Sequence, residues 1–286
     1  MTSSSSFDEP ALPSRPVVRL KPKAEARAIR HGFPWVYADE LVTDRRTQGL
    51  PAGALAILED GERRPLGLVT VNVKSKIIAR MLDRDPEAEI DQSWFETRLV
   101  RALALRARLF DAPFYRLVHA EADGLPGVVI DRFGDTAVIQ PNAAWAEAHL
   151  SALVAALQTV TGVTRVVKNG TGRARGLEGL AEETALLAGQ IDAPIPVPMN
   201  GATYMADVLG GQKTGLFFDQ RPNHAFAASL ARGASHEVDF LNGEIVLLGR
   251  LHRAAHAGQQ QRLACLGHHV CAVVAGTAVH AQAHGH

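Results

Sequence analysis

The sequence predicts a mixed α/β chain whose N-terminal part is α+β, and three observations predict it. Short apolar runs bounded by turn residues crowd residues 16–84, a helical period with a capping signal covers residues 94–110, and strand-like runs then alternate with helical patterns to about residue 190. At 286 residues the chain has room for about two domains, or three small ones. Hydrophobic residues make up 47%, enough for packed cores, and the 21% of charged residues is ordinary for a soluble protein. No run approaches the roughly 18 apolar residues of a membrane span, so no membrane partner is expected. Cys265 and Cys271 are the only cysteines, which argues against a disulfide framework and for a reducing cytoplasm.

Each element follows from a local signal. Residues 1–15 are polar, lack an apolar core and read as a disordered lead rather than a signal peptide. Residues 17–20 make a strand, 24–29 a short helix, and 55–58, 66–73 and 77–82 further strands, punctuated by Asp60-Gly61 and by residues 72–75. Formal net charge is zero, so the distribution of charge matters more than its sum. Between Pro13 and His31, six basic residues (Arg15, Arg19, Lys21, Lys23, Arg27, Arg30) stand against one acid, Glu25. This is either a phosphate-facing patch or a solvated helix face. Trp35 and Tyr37 could stack on bases, although alternating aromatics beside a proline more often fill a core.

Ser93 and Glu96 fit a capping box, followed by Phe95, Leu99, Leu103 and Phe110 at helical spacing. Arg98, Arg101 and Arg108 fall on the other side and are expected to be solvated. Residues 115–134 read strand, turn, strand, turn, punctuated by Asp123-Gly124 and Phe133-Gly134-Asp135. A strand at 137–140, a helix over roughly residues 142–160 and a strand from Arg165 complete this block. His119 and Asp131 lie at strand ends beside turns, where structural hydrogen bonding is expected rather than catalysis. Pro194, Pro196 and Pro198 predict an extended connector, and Asn200-Gly201 turns a hairpin between residues 195–199 and 202–207.

The most informative segment is residues 210–221, Gly-Gly-Gln-Lys-Thr-Gly-Leu-Phe-Phe-Asp-Gln-Arg, which opens a helical pattern at 225–231. It aims polar groups and unspent backbone N–H groups at a helix N-terminus, where a polar or anionic ligand is readily held. It is not a P-loop, because Gln212 rather than Gly precedes Lys213.

This segment closely resembles the G-x-K-T-G-x-x-x-D-Q-R stretch of the S-adenosylmethionine-dependent rRNA large-subunit methyltransferases that modify cytosine at C5. Residues 30–37, Arg-His-Gly-Phe-Pro-Trp-Val-Tyr, resemble the R-H-P-W-V/I-F segment of that family's N-terminal PUA domain, and residues 115–134 its central N-A-E-x-D-G-L-P-G-x-x-I-D-R-F-G signature. Residues 175–179 echo its R-x-x-E-G, although Asn169-Gly170-Thr171 replaces the usual Arg-Ser-Asp. The resemblance runs from about residue 16 to about 234. It implies a PUA-like β-barrel over 16–84, a central α+β domain over 85–190, and at 191–235 the start of a Rossmann-like methyltransferase domain that is incomplete. It further implies S-adenosyl-L-methionine held by Lys213, Thr214, Phe218, Asp219, Gln220, Arg221 and Asp239. Lys21, Lys23, Arg27, Arg30, His31 and Trp35 would grip 23S rRNA, and a second copy of the chain is one further partner.

After about residue 235 the resemblance fades. One glycine stands where the family's donor loop has two, no Asp-Pro-Pro follows Asp219, and residues 236–286 hold eight of the twelve histidines and no lysine. Such a shift predicts an abnormal end of the frame or gene and a poorly ordered tail. Neither cysteine stands in the setting of the family's nucleophile, so no catalytic residue is assigned. The run Cys265-Leu-Gly-His-His-Val-Cys271 is too cramped for paired zinc knuckles, and no metal is expected. The function expected is therefore rRNA methyltransferase by family but inactive as this chain, with an RNA-binding remnant lacking catalysis as the alternative.

Overall fold

The computed structural model describes residues 15–211 and 214–233. The N-terminal lead, Lys213, Asp239 and the tail of residues 236–286 therefore lie outside the described residues. Residues 17–83 supply β1 (Val17–Arg19), α1 (Ala26–Arg30), β2 (Trp35–Tyr37), α2 (Arg45–Gln48), β3 (Ala54–Glu59), β4 (Pro65–Val71) and β5 (Ile77–Asp83). The strands form one sheet in the order β1-β3-β4-β5-β2, antiparallel except for the parallel β1–β3 pair. A bridge between Leu20 and Leu41 joins the two edges and closes the sheet into a small barrel. Val18, Leu20, Ile29, Val36, Leu41, Leu58, Val69 and Ile78 fill it.

The central domain follows: α3 (Gln92–Ala107), β6 (Phe114–His119), β7 (Val128–Phe133), β8 (Thr136–Pro141), α4 (Ala144–Ala148), α5 (Leu150–Thr161), β9 (Arg165–Gly170), α6 (Arg173–Leu177) and β10 (Glu183–Ala188). Its sheet runs β10-β9-β8-β7-β6, with β8–β9 the parallel pair that α4 and α5 connect. Helices α3 and α5 cover one face around Phe95, Trp145, Leu153 and Ile139. A hairpin of β11 (Ile195–Met199) and β12 (Ala202–Ala206), with the start of α7 (Arg221–Gly233), covers the other around Phe133, Val138, Val167 and Tyr204. No helix among the described residues is long and apolar enough to cross a membrane.

Several local expectations give way to tertiary contacts. Helix α3 is capped by Asp91, whose carboxylate accepts the Trp94 N–H at 2.8 Å, and not by Ser93. Arg98 is not on a solvated face: its guanidinium lies 3.4 Å from the Trp94 ring centroid and pairs with Asp83 at 2.8 Å. Along β2 it is Val36 that enters the barrel core, while Trp35 is half-buried and Tyr37 exposed. The helix at 142–160 breaks at His149 into α4 and α5. The proline connector is itself strand β11, where Pro196 and Pro198 point outward and Ile195, Val197 and Met199 inward. Strand β10 gave no sequence signal, because Glu-Thr-Ala-Leu-Leu-Ala has no period-2 pattern and is exposed along most of its length.

Candidate functional site

Residues 207–211 and 214–221 form a lip on the central sheet. Its glycines wrap one residue, Asp207. The Asp207 carboxylate accepts the Leu209 and Gly210 N–H groups, and its carbonyl accepts the Gly211 N–H at 3.0 Å. A Cβ on Gly211 would sit 2.1 Å from that carbonyl oxygen; Gly215, at φ +99°, would place one 2.7 Å from it. The glycines are thus required by the loop's closure on itself.

Thr214 is buried, and its hydroxyl donates to Asp131 Oδ2 at 2.5 Å. Asp131 is wholly buried at the β7 position facing Arg116, which grips it bidentately at 2.9 and 3.1 Å. Burial would lower the Arg116 pKa, but the Asp131 pair, with Asp219 nearby, raises it. Phe218 is buried against Phe133, ring centroids 5.1 Å apart. Asp219 is exposed and makes no hydrogen bond among the described residues. Gln220 accepts the Asn223 amide at 2.8 Å.

Arg221 turns inward. Its guanidinium donates to the Phe114 carbonyl and lies 4.6 Å from the Phe110 ring centroid, and its pKa is lowered by burial. Arg221 Nε is buried without a hydrogen-bond partner among the described residues. The hairpin turn clips onto this helix start, with Asn200 donating to the Arg221 carbonyl at 2.9 Å and Tyr204 stacked on His224 at 5.5 Å. Burial lowers the His224 pKa, against the opposing charge of Asp219. The structure thus brings Thr214, Phe218, Asp219, Gln220 and Arg221 together, with Asp219 facing outward. Asp131, Arg116 and Phe110 support them and were absent from the sequence assignment of the donor site. The sequence placed Asp131 at a strand end, but it lies inside β7, paired with Arg116 on one side and Val138 on the other.

The barrel carries the other candidate surface. Of the basic residues before His31, Arg19 pairs with Glu59 and Arg30 with Asp60, while Arg15 and Lys21 donate to the Pro86 and Asp39 carbonyls. Lys23 and Arg27 are exposed with no side-chain hydrogen bond to a described residue. His31 is exposed beside them, its Nδ1 2.8 Å from the Arg27 carbonyl. Phe33 packs edge-on against Trp35 at 6.0 Å and tilted against Tyr37 at 6.4 Å. Phe33 and Tyr37 are the exposed members of this cluster. Trp35 donates its indole N–H to Glu121 of the central domain at 2.9 Å. Glu121 also accepts from Arg80, which reaches Glu178, and Glu178 accepts the Asn72 amide at 2.8 Å. Glu178 and Arg175 are therefore buried in structural contacts, with Arg175 held by Glu147 and by the Pro141 and Ala181 carbonyls.

Comparisons with known proteins agree with this architecture. Residues 18–84 match the PUA-like domain family. A ribosomal RNA large subunit methyltransferase I of Alteromonas mediterranea is 34% identical over 220 residues, 76% of this chain and 55% of that protein. A ribosomal RNA large subunit methyltransferase of Deinococcus radiodurans is 33% identical over 232 residues, 77% of this chain and 56% of that protein. The chain thus spans about half the length of the curated relatives it matches. A solved structure from Streptococcus mutans, described as a SAM-dependent methyltransferase, superposes with TM-score 0.62 at 18% identity, covering 75% of this chain and 54% of that one. At that identity the likeness shows the fold. Through these matches the chain is similar to about half the length of ribosomal RNA large subunit methyltransferases, and its residues 18–84 match a PUA-like domain.

Proposed function

We propose that the chain is built as an S-adenosylmethionine-dependent methyltransferase of large-subunit rRNA, of the type that modifies cytosine C5 in 23S rRNA, and that as given it does not turn over. The observation that supports this reading is the lip: residues 214–221 of the G-x-K-T-G-x-x-x-D-Q-R segment are clamped to the central sheet with Asp219 facing outward, in a chain whose relatives are named rRNA methyltransferases. The residues present fit one side of a donor site. Asp219 offers an unspent carboxylate for hydroxyl or amine groups, and Arg221 holds a buried N–H without a partner. Asp219 and Gln220 would face the donor, with Thr214, Phe218 and the inward-turned Arg221 acting from behind to fix the loop; Lys213 and Asp239 are assigned to the same site by resemblance. The donor would supply an electrophilic methyl group. The chain's own residues would orient it and keep the lip closed. No cysteine lies among the described residues, so none of them supplies the thiolate attack this chemistry needs.

On the RNA side, Lys23, Arg27 and His31 would meet phosphates, with Lys21 and Arg30 flanking them. Phe33 and Tyr37 would offer stacking faces, and Trp35 would stand behind them on Glu121. These exposed groups also favour a second reading, an RNA-binding chain without catalysis. Calorimetric titration with S-adenosylmethionine, beside an RNA gel shift at several salt concentrations, separates the two. Donor heat with a salt-sensitive shift supports the first reading, a shift without heat the second, and methyl transfer from tritiated donor to rRNA would overturn the claim of inactivity.

A further inference from the structure

We propose that Asp131 and Arg116 are positioning residues for the lip: their buried ion pair holds the Thr214 hydroxyl, and through it sets where Asp219 stands. This deepens the donor-site reading above and rests on it for its functional consequence. Asp131 has a fully buried side chain, and all its described side-chain partners converge on the lip or on Arg116. The Thr214 hydroxyl has one proton and two acceptors within reach, Asp131 Oδ2 at 2.5 Å and the Leu216 carbonyl at 3.4 Å. The shorter, charge-assisted bond takes it.

The loop itself closes around Asp207, so its local hydrogen bonds do not fix it to the sheet. Thr214 makes that polar link, across 83 residues of sequence, beside the apolar contacts of Leu216 and Phe218. Arg116 is 28% exposed at its side chain and feels the charge of Asp219 as well as that of Asp131. One guanidinium thus stands between the buried carboxylate that anchors the loop and the outward carboxylate that would meet a ligand.

The test compares Thr214→Val and Thr214→Ser in the full chain, by amide hydrogen exchange and by titration with S-adenosylhomocysteine. Thr214→Val keeps the shape and removes the proton; Thr214→Ser restores it. Exchange of the residue 207–211 and 214–216 amides should quicken by on the order of tenfold in the valine variant, with barrel and α3 amides unchanged and serine close to wild type. Unchanged loop exchange, or an equal rise throughout the protein, would overturn the anchor. If the wild type binds the probe, the valine variant should bind about tenfold more weakly, with serine restoring affinity. Equal affinity alongside a loosened loop would overturn the positioning role. A wild type that gives no heat ends the donor-site reading, and exchange alone then decides the anchor.

Discussion

The barrel and the lip hold their polar groups in opposite ways. In the barrel, the arginine side of the charged contacts lies at the surface: Arg19 with Glu59, and Arg30 and Arg64 with the buried Asp60, with each arginine at least 38% exposed at its side chain. In the lip, polar groups point inward to partners far away in sequence: Thr214 to Asp131 across 83 residues and Arg221 to Phe114 across 107. A surface ion pair contributes little, whereas a buried one broken on one side leaves an uncompensated charge. The barrel should therefore tolerate changes to its exposed arginines, whereas the lip should not tolerate loss of its buried partners.

Asp131→Ala tests this contrast most severely. It strips Arg116 and Thr214 of their shared acceptor and should cost about 3 kcal/mol in urea unfolding. A loss below about 1 kcal/mol, the range of exposed pairs, would erase the difference between the regions. Gly211→Ala comes next, because its Cβ would meet the Asp207 carbonyl oxygen at 2.1 Å. It should cost about 2 kcal/mol. Gly176→Ala, in α6 with open space around it, should be neutral or stabilise by about 0.5 kcal/mol. Equal thermal melting of the two variants would show that the lip closure is not tight.

Acidity should separate the regions without mutation. Asp60 is lowered to about 2, first by the Arg64 backbone N–H and against the effect of burial. A depressed carboxyl stabilises fully above its unfolded value near 4, and that contribution is lost as pH falls through about 2. His224 is lowered by burial, so the fold resists a proton that the unfolded chain accepts as pH drops below about 6.5. The lip should thus loosen at mild acidity while the barrel holds. Exchange measured from pH 7 to 5 should show this at lip amides only, and His224→Phe, which keeps a ring against Tyr204, should abolish it. The smallest stability effect belongs to Lys23→Gln with Arg27→Gln. The melting free energy should move by less than about 0.5 kcal/mol. The salt slope of single-stranded RNA binding should fall by about 1.4. An unchanged slope would remove these two from the RNA surface.

Much of the fold was legible because its signals are local. The apolar runs at 55–58 and 77–82 became β3 and β5, and Asn200-Gly201 turned the β11–β12 hairpin. What was missed depends on neighbours. The α3 cap passed from Ser93 to Asp91, since Asp91 keeps extended backbone and its carboxylate accepts the Trp94 N–H. Arg98 left the solvated face because Trp94 and Asp83 offered it a stacked, paired site. The basic patch also shrank: a run of charges in sequence does not say which of them find a partner, and Glu59 at the end of β3 and Asp60 in the turn after it are brought alongside only by folding.

By itself, the sequence determined the order of elements and the motif that marks the lip, because period, turn chemistry and residue spacing act over a few residues. Only the tertiary structure decided what those motif residues do. It turned Thr214 and Arg221 inward, left Asp219 outward, spent Glu178 on Asn72 and Arg80 of the barrel, and spent Arg175 on Glu147 and the Pro141 carbonyl within the central domain. The physical reason is that a buried polar group must find its partner wherever the fold supplies one, and those partners lie tens of residues away along the chain.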